Sequence, residues 1–328
     1  MSSFWMPKKQ PLYAPMLSTF GGGSARGFGH GIGGGADGPL EFTSISFSSV
    51  SSGSNSGSTR GGLLGHTFSQ DGNWVYMPDY INNTFYWAQC SAPFTFPSSG
   101  SNYTSATTLA GHSFEDPSGV WVSRDGSYLA VQERGTGKEV VTFSLSTPFD
   151  PSSATRIATT AVDTLQGSRS APNGCHFSED GSKFAWFTQG TNNSWVDIFN
   201  CSTPFIPSGS AVSTEQLDAS IVGSANSLNM LGASIDPSGK WLFVTNHNEG
   251  HGNGTSSNTP HIYYAKMSTA YDLTTRGSFS KFNYASYVLN DNSESSVNTA
   301  VAYPEEGKIS VGGYSSGHVQ VLDNIVFS

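Results

Sequence analysis

The chain has 328 residues, of which only 12% are charged, and its formal net charge at pH 7 is −9. This acidic balance argues against non-specific binding to nucleic acid, which needs an excess of Lys and Arg. No run of residues approaches the roughly eighteen apolar positions of a membrane span, and residues 1–15 lack the apolar core of a secretory signal.

Residues 1–38 differ from the rest of the chain because they are too rich in glycine, above all over 21–35, to fold alone. Two interpretations are open: a floppy terminus, or an extended arm that becomes ordered on a partner surface. We predict the second, because several large apolar side chains of this segment would be costly to expose. The candidate anchoring residues are Trp5, Leu12, Tyr13, Met16, Phe20, Arg26 and Phe28.

From residue 39 onward one pattern recurs five times: a short apolar strand, a tight turn that contains a glycine, and a second strand rich in aromatic residues. In three copies Asp precedes the glycine, so that its carboxylate can accept backbone N–H groups while Gly takes a positive φ. The turn glycines are Gly72, Gly126, Gly181, Gly239 and Gly307, separated by 54, 55, 58 and 68 residues. A recurring period of this kind indicates a repeat architecture.

A second landmark follows each of the first four turns, with a strand before it and a Ser/Thr-rich strand after it. The four copies are Ser91–Phe94, Ser146–Asp150, Ser202–Phe205 and Ser268–Asp272. Each unit therefore has four antiparallel strands, as a propeller blade does. We predict an all-β fold: a five-bladed β-propeller of four-stranded antiparallel blades over 39–328, preceded by an extended Gly-rich N-terminal arm over 1–38.

The ends of the repeat region predict how the ring closes. Residues 40–50 alternate apolar and polar positions as a single strand does, whereas the fifth unit has only three strands. We therefore expect 40–50 to complete the last blade, which would remove an open sheet edge. The apolar segment 325–327 competes for the same place.

The cysteines and histidines predict no catalytic or redox site. Cys90 and Cys201 share a repeat position with Leu145 and Met267, as expected for buried small hydrophobes. The inner-strand positions expected to face the axis are small or apolar except for one histidine: His66, Val120, Cys175, Ala233 and Val301. We interpret His66 and His176 as hydrogen-bonded core histidines.

The longest insertion, over 246–260, contains His247, Glu249 and His251, which with His261 could ligate a metal ion. Three glycines in this loop give it no fixed geometry, so we predict a solvated loop and no metal. A Gly-x-Ser-x-Gly pattern at 53–57 lacks the strand-to-helix context of a hydrolase. The sequence thus predicts no cofactor, no catalytic residue and no enzymatic activity.

The Ser-x-Asp-Gly turns, the Ser-Thr-Pro-Phe-Asp landmark at 146–150 and the leader over 11–28 resemble propeller repeats and leaders of virion proteins of marine bacteriophages. The resemblance covers nearly the whole chain and departs from the pattern in the fifth unit, where Glu305–Gly307 replaces Asp-Gly. It implies a virion structural protein of the tail or tail fibre, assembled in the host cytoplasm and present in several copies per particle.

By the same resemblance, residues 1–38 would bind other virion proteins and the propeller would contact a host surface glycan or receptor. The candidate host-contact residues are Asn246, His247, Asn248, Glu249 and His251. Two alternatives remain open: a capsid decoration protein that uses the same arm, and a propeller hydrolase or lactonase.

Overall fold

A computed structural model describes residues 42–46, 51–55, 64–97, 102–166, 169, 171–189, 194–217, 230–246, 261–283, 297–313 and 319–328. The chain divides into two units, Met1–Asp37 and Gly38–Ser328. The first unit lies outside the described residues.

The described part is almost entirely β-structure. In chain order the strands are β1 (Ile45–Ser46), β2 (Ser51–Asn55), β3 (Thr67–Phe68), β4 (Trp74–Asp79), β5 (Thr84–Gln89), β6 (Thr104–Ala106), β7 (Thr108–Leu109), β8 (His112–Ser113), β9 (Pro117–Val122), β10 (Tyr128–Glu133), β11 (Glu139–Leu145), β12 (Ala154–Ala161), β13 (Ala171–Phe177), β14 (Lys183–Gln189), β15 (Ser194–Thr203), β16 (Ile206–Leu217), β17 (Met230–Ile235), β18 (Trp241–Asn246), β19 (His261–Lys266), β20 (Ser280–Asn283), β21 (Val297–Tyr303), β22 (Lys308–Gly313), β23 (Val319–Asp323) and β24 (Val326–Phe327). The described helical segments are one short α-helix, Val162–Gln166, and three 3-10 turns, Pro151–Ser153, Leu273–Thr275 and Pro304–Glu306.

These strands form the five-bladed propeller that the repeat predicts. Blades 1 to 4 are the antiparallel sheets β3–β6, β9–β12, β13–β16 and β17–β20, and blade 5 consists of β21, β22, β23 and β2. One cluster of buried apolar side chains lies between each pair of neighbouring blades, including blades 5 and 1. The ring is therefore closed by packing as well as by strand pairing.

The strand that closes blade 5 is β2, not the 40–50 segment that the alternation predicts. Ser51 pairs with Asp323 of β23, and Asn55 pairs with Val319. The described part of 40–50 belongs to another sheet, because β1 pairs with β24 in the only described two-stranded sheet at this seam. The segment 325–327 thus pairs with 40–50 and does not compete for the closing position. The closing strand reads Ser-Ser-Gly-Ser-Asn and has no apolar alternation from which a strand could be predicted.

The predicted turns are present in all five blades, with φ between 62° and 74° at the turn glycines. In blade 2, Asp125 Oδ1 accepts the Ser127 N–H at 3.0 Å and the Ser123 hydroxyl at 2.7 Å. Asp71 and Asp180 are bonded in the same way in blades 1 and 3. The repeat of Asp-Gly is therefore a structural requirement of the turn.

The second sequence landmark turns out to be part of the same turn. The aromatic residue of the landmark has φ between 56° and 66° in blades 1 to 4, and its N–H donates to the carbonyl of the turn glycine at 2.8 to 3.0 Å. Its ring covers that glycine: a Cβ on Gly126 would lie 2.6 Å from the Phe149 ring. In blade 5, where the sequence shows no landmark, Ile325 N–H makes the equivalent bond to Gly307 at 2.9 Å.

Glycines also allow the inner strands to approach one another around the axis. A Cβ on Gly65 would lie 2.7 Å from the Ser118 carbonyl oxygen, and a Cβ on Gly119 would lie 2.6 Å from Gly174 Cα. Real Cβ atoms do not approach backbone so closely, so a larger residue at these positions must push neighbouring blades apart.

We expect Gly119→Ala to lower the free energy of unfolding by about 2 to 3 kcal/mol, because the added methyl group overpacks the contact between blades 2 and 3. The matched control is Gly277→Ala, whose Cβ would lie 3.6 Å from the nearest atom, the Lys266 carbonyl oxygen, and which should change stability by less than about 0.5 kcal/mol. Urea unfolding followed by tryptophan fluorescence measures both, and equal effects of the two substitutions would contradict the role given to Gly119.

Candidate functional site at the propeller axis

The inner strands enclose a cavity on the axis with a volume of about 50 Å³. That space holds a few water molecules. The five inner-strand positions that the sequence places at the axis all line it, which confirms that prediction: His66, Val120, Cys175, Ala233 and Val301.

The two histidines that line the cavity are in different states. His66 Nε2 is hydrogen-bonded to the Ser310 hydroxyl at 2.8 Å, whereas His176 Nε2 has no partner among the described residues. Burial lowers the pKa of each imidazole to about 3, so both are neutral at physiological pH. The prediction of a hydrogen-bonded core histidine is confirmed for His66 and wrong for His176. Asn173 Oδ1, on another residue that lines the cavity, is also unpartnered.

A polar cluster lies where the cavity meets the turn end of the blades. Its members are three of the five residues that lie two positions before a turn glycine, Arg124, Glu179 and Glu305, while the equivalent residues Gln70 and Pro237 line the cavity with Glu179. The Arg124 N–H donates to Glu179 Oε2 at 3.1 Å, and the Arg124 guanidinium forms an ion pair with Glu305. Arg124 belongs to blade 2 and Glu305 to blade 5, so this ion pair connects two blades that are not neighbours in the ring. We call Arg124, Glu179 and Glu305 the axial cluster.

Glu179 is the group of the axial cluster with acid–base potential. Burial raises the pKa of its carboxyl group to about 7, although the N–H and the charge of Arg124 lower it; Asp125 and Glu305 raise it further. A carboxyl group that exchanges its proton near neutral pH can act as a general acid or base. Glu179 occupies the variable position of the Ser-x-Asp-Gly pattern. Sequence reasoning missed it, because only the folded ring brings the variable residues of different blades together at the axis.

The prediction of buried cysteines is confirmed for Cys90 and Cys175, whereas Cys201 is only partly buried. The Cys90 and Cys201 N–H groups donate to the equivalent carbonyls of Asn73 and Ser182, which confirms that the two share one repeat position. Burial raises the pKa of both thiols to about 12, so they are protonated at physiological pH. Cys175 is buried on β13, and burial raises the pKa of its thiol above its ordinary value.

The propeller has two faces, which we name by their connections. The turn face carries the turn glycines, and the loop face carries the opposite ends of the strands. On the turn face, Phe42 is 6% exposed, its ring stacks on Trp241 with a centroid distance of 5.3 Å, and its carbonyl accepts the Trp241 indole N–H at 3.2 Å. On the loop face, β18 ends at Asn246 and β19 begins at His261.

The remaining predicted site residues lie outside the described part of the chain. This holds for the seven candidate anchoring residues of 1–38 and for the candidate host-contact residues His247, Asn248, Glu249 and His251. The described residues nearest to these segments in the chain are Phe42, which follows the arm, and Asn246 and His261, which flank the loop; the contacts of the arm and the loop remain predictions.

The comparisons with known proteins give the chain no family. No protein-family model and no curated protein matches the sequence. A chain of Kuenenia stuttgartiensis hydrazine synthase is similar in structure, with a TM-score of 0.42 and 13% sequence identity over 78% of this chain and 57% of that one. This chain thus corresponds to little more than half of the hydrazine synthase chain, and similarity at this level carries no information on activity.

Among the described residues, none of the helical segments has the length and apolar character needed to cross a membrane.

We predict that Glu179→Gln raises the stability of the protein at pH 8 and leaves it nearly unchanged at pH 4. Because the folded-state pKa of Glu179 lies above its unfolded value, the unfolded chain releases this proton first as pH rises, and wild-type stability falls between about pH 4.5 and 7. The amide keeps the acceptor for Arg124 without the buried charge, so the gain at pH 8 should be about 2 kcal/mol. Urea unfolding of the wild type and the variant from pH 4 to 8 measures this gain. A difference in unfolding free energy that does not change with pH would contradict the raised pKa of Glu179.

Proposed function

We propose that the chain is a non-enzymatic structural protein of a bacteriophage virion, associated with the tail or tail fibre. In this proposal residues 1–38 bind other virion proteins, and the propeller presents its loop face to the host surface. The sequence resemblance suggests the setting. The observation that carries the proposal is that Phe42, which follows the first segment in the chain, lies on the turn face, whereas β18 ends and β19 begins on the loop face.

Phe42, four residues after the end of the arm, is fixed by several contacts on the turn face. Besides its contacts with Trp241, the Phe42 ring meets Phe327 edge-on at a centroid distance of 4.8 Å. The Thr43 N–H donates to the Ser328 carbonyl at 2.5 Å, and β1 pairs with β24 directly afterwards. Phe42 belongs to the apolar cluster between blades 4 and 5, so its position is fixed by the core of the propeller. An arm that anchors the propeller to a particle must be followed by residues that are fixed in this way.

The candidate contact loop has a rigid base on the other face. It joins β18 to β19, the two central strands of blade 4, which are paired from Trp241 opposite Lys266 to Thr245 opposite Ile262. Loops that extend from a rigid scaffold are common binding elements. With the arm bound to the particle on the turn face, the ends of β18 and β19 that flank this loop would face away from the particle.

The chemistry at the axis supports a non-enzymatic role. The cavity of about 50 Å³ is small beside ligand pockets, which are typically about 300 to 1,000 Å³. Its histidines are neutral, and the thiol of Cys175 is protonated. Glu179 favours a second candidate, a propeller hydrolase that would use this carboxyl group as acid or base.

Deletion of residues 1–38 tests the anchoring role. We expect the truncated propeller to keep the circular dichroism spectrum and melting temperature of the full chain but to be absent from purified particles, because the arm makes the contacts with other virion proteins. Mass spectrometry of particles from a phage that carries the truncated gene measures incorporation. Incorporation equal to that of the full chain would contradict the proposal. Immunogold labelling of particles with the full chain separates a tail position from capsid decoration.

Substitution of the contact loop tests the other face. We expect a triple variant, Asn248→Ala, Glu249→Ala and His251→Ala, to enter particles normally and to reduce adsorption to host cells at least about tenfold, as loss of a binding surface would. A control triple variant on the turn face, at Ser152, Thr274 and Glu306, should adsorb as the wild type does. Normal adsorption by the loop variant would exclude these residues as the contact. Catalytic turnover of surface glycans that is abolished by Glu179→Gln would instead support the hydrolase.

A further inference from the structure

A second group of ionisable side chains lies on the loop face, away from the axis. His112 is on β8, in the connection between blades 1 and 2, while Glu133 ends β10 and Glu139 begins β11. One ligand atom from each of the three side chains lies within 4.8 Å of the other two. Three separate strands thus bring an imidazole and two carboxylates to one point.

The interatomic distances fit a metal ion without rearrangement of the pair that is already in contact. His112 Nε2 lies 3.0 Å from Glu133 Oε1. Two atoms bound to one ion at about 2.1 Å, with an angle of about 90° to 110° between the bonds, are about 3.0 to 3.4 Å apart. The edge of the Phe114 ring, with its centroid 5.7 Å from that of His112, holds the imidazole in this position.

Two carboxylates carry more negative charge than one imidazole can offset. Glu133 is 3% exposed, and its Oε1 is hydrogen-bonded to His112 Nε2 and accepts the Glu115 N–H, each at 3.0 Å. Among the described residues, the Glu139 carboxylate forms no hydrogen bond and no ion pair, although it lies beside Glu133 and His112. A nearly buried carboxylate beside a second carboxylate is a costly arrangement unless a cation or a proton joins the two.

We propose that His112, Glu133 and Glu139 bind one divalent transition-metal ion, which fixes the connection between blades 1 and 2 to the hairpin of β10 and β11. A mixed nitrogen and oxygen donor set suits Zn²⁺ and related ions, and a +2 charge neutralises both carboxylates. The site is distinct from the histidines of the 246–260 loop and does not depend on the proposed virion role. It was not predicted from the sequence, because His112 lies in the connection before blade 2, 21 residues from Glu133, and no motif links the two.

Zinc binding to the tag-free full chain tests the site, after removal of metal with a chelator. We expect equilibrium dialysis to give one zinc per chain and thermal unfolding to show a rise in Tm of about 5 °C at saturating zinc. Glu139→Gln should weaken zinc binding at least about tenfold. This variant should fold, because Glu139 is partly exposed and its side chain has no described partner. Glu115→Gln is the matched control: Glu115 is an adjacent carboxylate outside the three ligands and should keep wild-type affinity.

A double variant, His247→Ser with His251→Ser, separates this site from the histidine-bearing loop. We expect it to bind zinc with the affinity and stoichiometry of the wild type. Absence of saturable zinc binding by the wild type, equal affinity in Glu139→Gln, or loss of binding in the double variant would each overturn the proposal.

Discussion

The close approach of the inner strands around the axis is the constraint on which the rest of the structure depends. Gly65, Gly119 and Gly174 stand at the contacts between blades 1 and 2, 2 and 3, and 3 and 4, and a Cβ at each would lie 2.6 to 3.3 Å from neighbouring backbone. These close contacts leave an axial cavity with a volume of only about 50 Å³. The same narrowness brings the turns together, so that Arg124 reaches both Glu179 and Glu305.

In every blade, one hydrogen bond connects the turn to the residues that follow the third strand. In blades 1 to 4 the turn glycine and a following aromatic residue both have positive φ, the aromatic N–H donates to the glycine carbonyl, and the aromatic ring covers the glycine. Blade 5 makes the bond with Ile325, immediately before the strand that pairs with β1. The turn face is therefore rigid at its rim and at the root of the arm, and the long connections leave from the opposite face.

Much of the fold could be predicted from the sequence because its repeats are local. Turn and landmark residues are close in sequence, so their pattern predicts five blades, and the structure has five four-stranded blades. The closing strand could not be found, because an outer strand without apolar residues gives no periodic signal. The axial cluster was also missed, since it joins residues of different blades through the ring geometry, and the His112 site was missed because the connection between blades 1 and 2 folds back onto the β10–β11 hairpin. The orphan nitrogen of His176 likewise depends on neighbours from other parts of the chain.

The five blades form a single closed ring in which β2 completes blade 5. Hydrogen–deuterium exchange measured by mass spectrometry tests it at the seam, where β23 lies between β2 and β22. In a closed ring, we expect the amides of β23 to exchange within about tenfold of the rate in β15, the corresponding strand of blade 3, because the amides of both strands become exposed only when the whole ring unfolds. Fast exchange in β23 while β15 stays protected would show that the seam opens by itself and would contradict the closed ring.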